Sequence, residues 1–198
     1  MSLLLINRPT DSSIEIGRVI ERGLRESRAI DTEALCVVAG VKVWSVRCDI
    51  HIIDHGGNLL DCASIATIAA LLHFRRPVTS VVDNKVIVLP IEDKEPLPLS
   101  IHHIPVAISF AIFEDGQIII VDPNYKEELV MEGKITFTLN SHREICAVQK
   151  SGGIPLSLDQ IIQCSRIAAV KAEEISQIIQ SSLKEQNKTP STSNLNKS

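Results

Sequence analysis

The chain has 198 residues, 44% of them hydrophobic and only 3% aromatic, which suits one domain, or one domain with a tail, around an aliphatic core. A formal charge of −4 excludes a strongly basic nucleic-acid module but leaves room for a local basic patch. The apolar run Leu3 to Ile6 is too short for a signal peptide or a membrane span, and no other stretch reads as a span.

Ser12 and Ser13 read as the cap of a first helix whose apolar side carries Ile16, Ile20 and Leu24. Its polar side carries Arg18, Glu21, Arg22, Arg25 and Arg28, and Asp31-Thr32 ends it. A short apolar strand from Leu35 to Ala39 turns at Gly40. Val43 to Asp54 then alternates, with Trp44, Val46, Cys48, Ile50 and Ile52 on one face, the pattern of a half-buried antiparallel strand. His55-Gly56-Gly57-Asn58 is a turn. Leu60 to Phe74 reads as a buried helix stopped by Arg75-Arg76-Pro77, where the arginines suit the negative helix end.

Three hairpins follow: Val78–Val82 with Val86–Leu89 around Asp83-Asn84-Lys85, Val106–Phe113 with Gln117–Val121, and Ile135–Asn140 with Glu144–Lys150. A Pro-rich loop spans residues 90–105. A long helix from Ser157 to about Leu183 turns Leu158, Ile161, Ile162, Ser165, Ile167, Ala168, Ala172, Ile175 and Ile179 inward. Strands mixed with a few helices imply an α+β domain in layers.

Residues 122–134 carry the most chemistry. Glu127, Glu128 and Glu132 suit an acidic active-site loop that holds a metal or moves a proton, yet Lys134 stands where it neutralises its neighbours. Arg22, Arg25 and Arg28 recur at three-residue spacing. They suit contact with RNA phosphates, or else a solvated helix face pairing with Glu21 and Glu26. His102-His103 point to opposite faces of an extended chain and read as structural. Cys62 has no oxyanion-hole signature beside it, and Gly152-Gly153 reads as a turn. The five cysteines, Cys36, Cys48, Cys62, Cys146 and Cys164, are irregularly spaced with no CxxC and read as reduced thiols of an intracellular protein.

Four strings carry a family likeness: Glu26 to Trp44 (ESRAIDTEALCVVAGVKVW), Asp61 to Ala66 (DCASIA), Pro98 to Pro105 (PLSIHHIP) and Ser151 to Ile154 (SGGI). Together they resemble the RNase PH family. Within it they look most like the ring subunits of the eukaryotic RNA exosome of polymyositis/scleroderma-autoantigen type. The likeness runs from roughly Ile14 to Leu183. It implies RNase PH-like (ribosomal protein S5 domain 2-like) β/α layers, paired into dimers and then into a six-membered ring around a channel. The opening βαβ portion of the family domain is expected to be missing, which makes the fold N-terminally truncated. Residues 1–13 are then a divergent segment, residues 14–183 an incomplete domain and residues 184–198 a disordered polar tail.

Active members of that family use inorganic phosphate to release the last nucleotide of an RNA 3′ end. They hold the phosphate with an arginine near the start of the central helix and use acidic residues thought to bind magnesium. This chain departs at each point. Asp61 stands about where the arginine belongs, Glu128 near the first catalytic aspartate and Lys134 near the second. The resemblance therefore implies a non-catalytic ring subunit with Asp61, Glu128 and Lys134 as degenerate positions, no metal and no cofactor. The implied partners are RNase PH-like ring subunits, S1/KH cap subunits and RNA, with no membrane. The implied location is the nucleus, including the nucleolus, and the cytoplasm. The alternatives are a phosphate-dependent 3′-to-5′ exoribonuclease and a free-standing RNA-binding module.

Overall fold

The apolar runs from Val106 onward become a four-stranded antiparallel sheet in the computed structural model, which describes residues 2–3, 11–82 and 85–188. In chain order the elements are β1 (Ser2–Leu3), α1 (Asp11–Arg25), β2 (Cys36–Val38), β3 (Lys42–Val43), β4 (Arg47–Cys48), α2 (Leu59–His73), β5 (Arg75–Arg76), β6 (Thr79–Val82) and β7 (Lys85–Val88). Then come β8 (Leu97–Pro98), β9 (Val106–Phe113), β10 (Ile118–Val121), α3 (Tyr125–Val130), β11 (Gly133–Leu139), β12 (Ile145–Gly152) and α4 (Leu158–Lys188).

The main sheet has the order β10-β9-β11-β12, with Phe137 opposite Ile108 on one side and Val148 on the other. β9 is paired along both edges, and seven of its eight residues are buried, which is why it reads as a continuous apolar run. Phe110 and Phe137 meet edge to face at 6.1 Å between ring centres, the only aromatic pair in the core among the described residues. α2 and α4 both pack on β9. α4 turns Cys164, Ala168, Ala172 and Ser176 inward, small residues that let the helix lie close to the sheet, and buries Ile179 beyond them.

The hairpins and the two long helices lie where the sequence places them, although Asp83-Asn84 fall outside the described residues. Arg75 also behaves as expected. Its Nη1 donates to the carbonyls of Leu72, His73 and Phe74 at 2.9–3.0 Å and closes the C-terminal end of α2.

Five readings need correction. The first helix begins at Asp11, so Ser12 and Ser13 lie inside its first turn rather than capping it. Val43 to Asp54 is no continuous strand. Only the two-residue ladders of β3 and β4 form, and residues 49–54 pair with no strand among the described residues. The alternation itself is real, since Trp44, Val46, Cys48 and Ile50 are half-buried and their neighbours exposed, but it fixes faces and supplies no hydrogen-bonding partner. Residues 122–134 contain α3 rather than a loop. In α4, Leu158, Ile162 and Ile167 face outward at 71%, 39% and 40% exposure, and the buried stripe runs through Cys164, Ala169 and Ser176 instead. Finally, α4 continues through Lys184 to Lys188, so that part of the expected tail is helical, and residues 189–198 lie outside the described residues.

The end of α1 corrects the arginine pattern as well. Ala29 N–H donates to Leu24 O at 3.0 Å and Arg28 N–H to Arg25 O at 3.1 Å, the paired bonds of a Schellman motif. Arg28 occupies its left-handed position, with φ of +56°, where glycine is usual. It therefore lies beyond the helix and not on the face shared by Arg22 and Arg25.

Candidate functional site

A cavity of about 390 Å³ opens between α1, the turn before α2, α3 and the starts of β11 and the end of β12. The turn is held to α3 at two points. Tyr125 N–H donates to Gly56 O at 2.8 Å, and the His55 and Tyr125 rings meet edge to face at 5.2 Å. Gly57 has φ of +123°, and a Cβ there would lie 2.5 Å from Tyr125 N, so only glycine permits this approach. Asn124 caps α3. Its Oδ1 accepts from Lys126 N and Glu127 N while Asn124 N–H donates to Glu127 Oε2 at 2.7 Å, a reciprocal capping box.

That local chemistry separates the three glutamates. Glu127 is engaged in the cap, and Glu132 Oε2 accepts from the backbone N–H of Asp115 at 2.9 Å. Only Glu128 faces Lys134, whose Nζ lies 3.0 Å from Glu128 Oε1, with both side chains about four-fifths buried. The ammonium sits where a cation would have to bind, so this donor set does not fit a metal ion. Among the described residues no group of three or more His, Cys, Asp or Glu side chains is placed to hold one. Glu15 also borders the cavity and accepts from Gln149 Nε2 at 2.7 Å. Glu15, Glu128 and Glu132 thus outnumber Lys134, and the cavity disfavours an anion such as orthophosphate. Glu15 escaped the sequence reading because its partner lies 134 residues away.

Asp61 is placed differently from its neighbours in the sequence argument. It is 8% exposed and does not line the Glu128–Lys134 cavity, bordering instead a cavity of about 720 Å³ with Cys62, Asp122 and Lys171. Ser109 donates to it twice, from N–H at 2.7 Å and from Oγ–H at 2.6 Å, and Asn58 Nδ2 donates at 2.8 Å. Ser109 Oγ also lies 2.9 Å from Thr136 Oγ1, and Asn58 Nδ2 reaches Asp122 Oδ1 at 2.7 Å. Burial raises the Asp61 pKa from 3.8 to about 6, against the opposing effects of these hydrogen bonds and of the Lys134 charge. The polar chain Asp122–Asn58–Asp61–Ser109–Thr136 ties the start of α2 to β9 and β11. A serine and a threonine inside otherwise apolar strands were the only sequence sign of it.

The three arginines divide between two cavities. Arg22 Nη2 donates to Val148 O at 3.0 Å and borders a 550 Å³ cavity with Arg18, Glu15 and Gln149. Arg25 and Arg28 border another, of 840 Å³, with Trp44 and His102. Arg22 pairs with Glu26 at 3.8 Å and Arg25 with Glu21 at 3.6 Å, long and exposed contacts that constrain either guanidinium little. His103 Nε2 lies 3.0 Å from Ser27 Oγ and 3.9 Å from Cys146 Sγ, and all five cysteines are free thiols.

Family comparison agrees with this architecture. The model of the 3′ exoribonuclease family, domain 1, matches residues 6–77, and that of domain 2 matches residues 103–171. The chain belongs to the 3′ exoribonuclease (RNase PH) family. The human exosome complex component RRP45 is 50% identical over 181 residues, covering 91% of this chain and 41% of that protein. The chain thus spans about two-fifths of the length of the mammalian relatives it matches. Among solved structures, an archaeal exosome core matches with a TM-score of 0.76 at 30% identity, covering 90% of this chain and 68% of that one. An Archaeoglobus fulgidus exosome with RNA bound to the active site matches with a TM-score of 0.73 at 31% identity, covering 87% and 63%. The α+β, RNase PH-like fold class follows from the family and the archaeal match together.

Proposed function

We propose that this chain is a non-catalytic ring subunit of an RNA exosome, supporting 3′-to-5′ RNA processing and decay as a scaffold rather than as a nuclease. The observation that carries the reading is the Glu128–Lys134 pair, an ammonium lodged 3.0 Å from the one carboxylate of the acidic segment that faces it. The likeness to proteins named exosome complex component RRP45 and to archaeal exosome cores supports the assembly half of the proposal. The acidic lining of the same cavity supports the absence of phosphate-dependent cleavage, so the exoribonuclease reading is not favoured.

The partners are RNase PH-like ring subunits, through interfaces typical of closed oligomers, together with S1/KH cap subunits and RNA. The likeness to an archaeal exosome with RNA bound supports RNA as a partner, and Arg22, Arg25 and Arg28 are the side chains we propose for testing that contact. A nuclear, nucleolar and cytoplasmic distribution goes with that assignment. Tagged chain recovered from cell extract should carry RNase PH-like proteins in near-stoichiometric amounts. Recovery free of any such protein, from a tag that does not block folding, would contradict the proposal.

A further inference from the structure

We propose that the outer edge of β12, beside α1, is a docking edge for an acidic extended peptide of a partner protein, which adds to the main sheet as a further strand. This goes beyond the ring assignment and does not depend on it. β12 ends the strand order of the sheet and has no strand on its outer side. Two of its carbonyls are taken by side chains outside the β11–β12 ladder. Arg22 Nη2 donates to Val148 O at 3.0 Å, and Lys150 Nζ donates to Gly152 O at 2.9 Å. Val148 O is thus turned away from β11. In an antiparallel ladder the N–H and C=O of one residue point to the same side, and alternate residues share that side. Val148 and Lys150 therefore present both backbone groups at the open edge.

The groove beside that edge supplies the space and the sign. A cavity of 550 Å³ is bordered by Ile14, Arg18 and Arg22 of α1 and by Gln149 of β12. Arg18 is exposed and makes no ion pair among the described residues, and the contact of Arg22 with Glu26 is long, at 3.8 Å. Glu15 also borders the cavity, but its Oε1 already accepts from Gln149 Nε2 at 2.7 Å. Charged side chains on an edge keep ordinary strands away. Here they also select. An incoming N–H takes the place of the guanidinium at Val148 O, and the released Arg22, with Arg18 and Lys150, pairs with carboxylates on the new strand. Every hydrogen bond given up is replaced. In this mode of recognition the main chain supplies affinity and alternate side chains supply specificity. A nucleic-acid strand answers the cations but has no row of amides to offer the edge, so the open backbone favours a peptide.

The test separates backbone pairing from charge. The probe is a short dye-labelled peptide of alternating valine and glutamate, whose anisotropy is followed as the full chain is added. Binding should saturate. Methylating the peptide's amide nitrogens in one alternate frame removes the donors that face β12 and should abolish binding, whereas methylation in the other frame leaves those donors intact and should be tolerated. Lysine in place of glutamate should abolish binding too. Arg18→Glu changes an exposed position with no partner to lose, and should raise the half-saturating concentration about tenfold, equivalent to ~1.4 kcal/mol. No saturable binding, equal binding of the two methylated forms, or equal binding of the glutamate and lysine peptides would overturn the proposal. Binding of a short oligouridylate that Arg18→Glu weakens, with no binding of the glutamate peptide, would assign the groove to RNA and overturn it as well. None of these readouts involves a ring subunit, so the ring assignment is tested separately by the recovery experiment above.

Discussion

The sheet of residues 106–152 and the segment of residues 36–54 are both rich in apolar strand-forming residues and reach opposite ends. In the sheet, β9 and β11 each find two neighbours and bury nearly every side chain. In the segment, ladders of only two residues form, and Val41, Val43 and Ile53 are 73%, 69% and 98% exposed. Alternation therefore encodes which side chains share a face, while the stability of a strand depends on what lies beside it. Chemistry sits on the sheet side of that divide, where Ser109 and Thr136 anchor the buried polar chain around Asp61.

The contrast is sharpest in the cost of truncation. Phe137→Ala removes a ring that is 1% exposed and packed on Phe110, and should destabilise the fold by about 3–5 kcal/mol in a denaturant titration. A loss below about 1 kcal/mol would mean that the sheet is not the stable half.

A smaller effect is expected from Asp61. Its folded pKa of about 6 lies above its ordinary 3.8, so the folded state binds more protons than the unfolded state between those values. This group's contribution to stability is therefore greatest below about pH 4 and is lost as pH rises through 6. The shift corresponds to roughly 3 kcal/mol. Asp61→Asn should abolish that part of the slope, read as the difference between the two proteins' unfolding free energies across pH 4 to 7. Parallel slopes would place Asp61 in contact with water.

The Glu128–Lys134 pair comes next. A double-mutant cycle with Glu128→Gln and Lys134→Met should give a coupling near 1 kcal/mol, above that of a fully exposed pair because both groups are largely covered. Zero coupling would remove the pairing on which the non-catalytic reading rests. Smallest of all, Ile53→Ala should change stability by less than about 0.5 kcal/mol in the isolated chain. A loss of 2 kcal/mol or more would show that Ile53 is packed.

Much of this was legible in the sequence and some was not, for identifiable reasons. The hairpins, α2, α4 and the closing role of Arg75 follow from turn residues, apolar periodicity and the residue before proline, all local signals. The Schellman turn at Arg28 escaped because glycine, its usual marker, is absent. α3 was hidden within an acidic run too short for periodicity to show, although Asn124 and Glu127 stand at capping-box spacing. At the site, Lys134 was singled out correctly as the neutraliser of an acidic neighbour, but not which one. Three glutamates within six positions look alike until the cap engages Glu127 and the Asp115 amide engages Glu132. Asp61 was read as standing about where a phosphate-binding arginine belongs, without its partners. Its burial depends on Ser109, 48 residues away, a contact that only the tertiary fold creates.

The central claim is that an ammonium occupies the place where phosphorolysis needs a metal-binding carboxylate pair. Purified chain incubated with end-labelled RNA, inorganic phosphate and magnesium tests it most directly. The account requires that no nucleoside diphosphate accumulates above the level seen without protein. Steady phosphate-dependent release by the chain alone, abolished when Glu128 is changed to Gln, would contradict it.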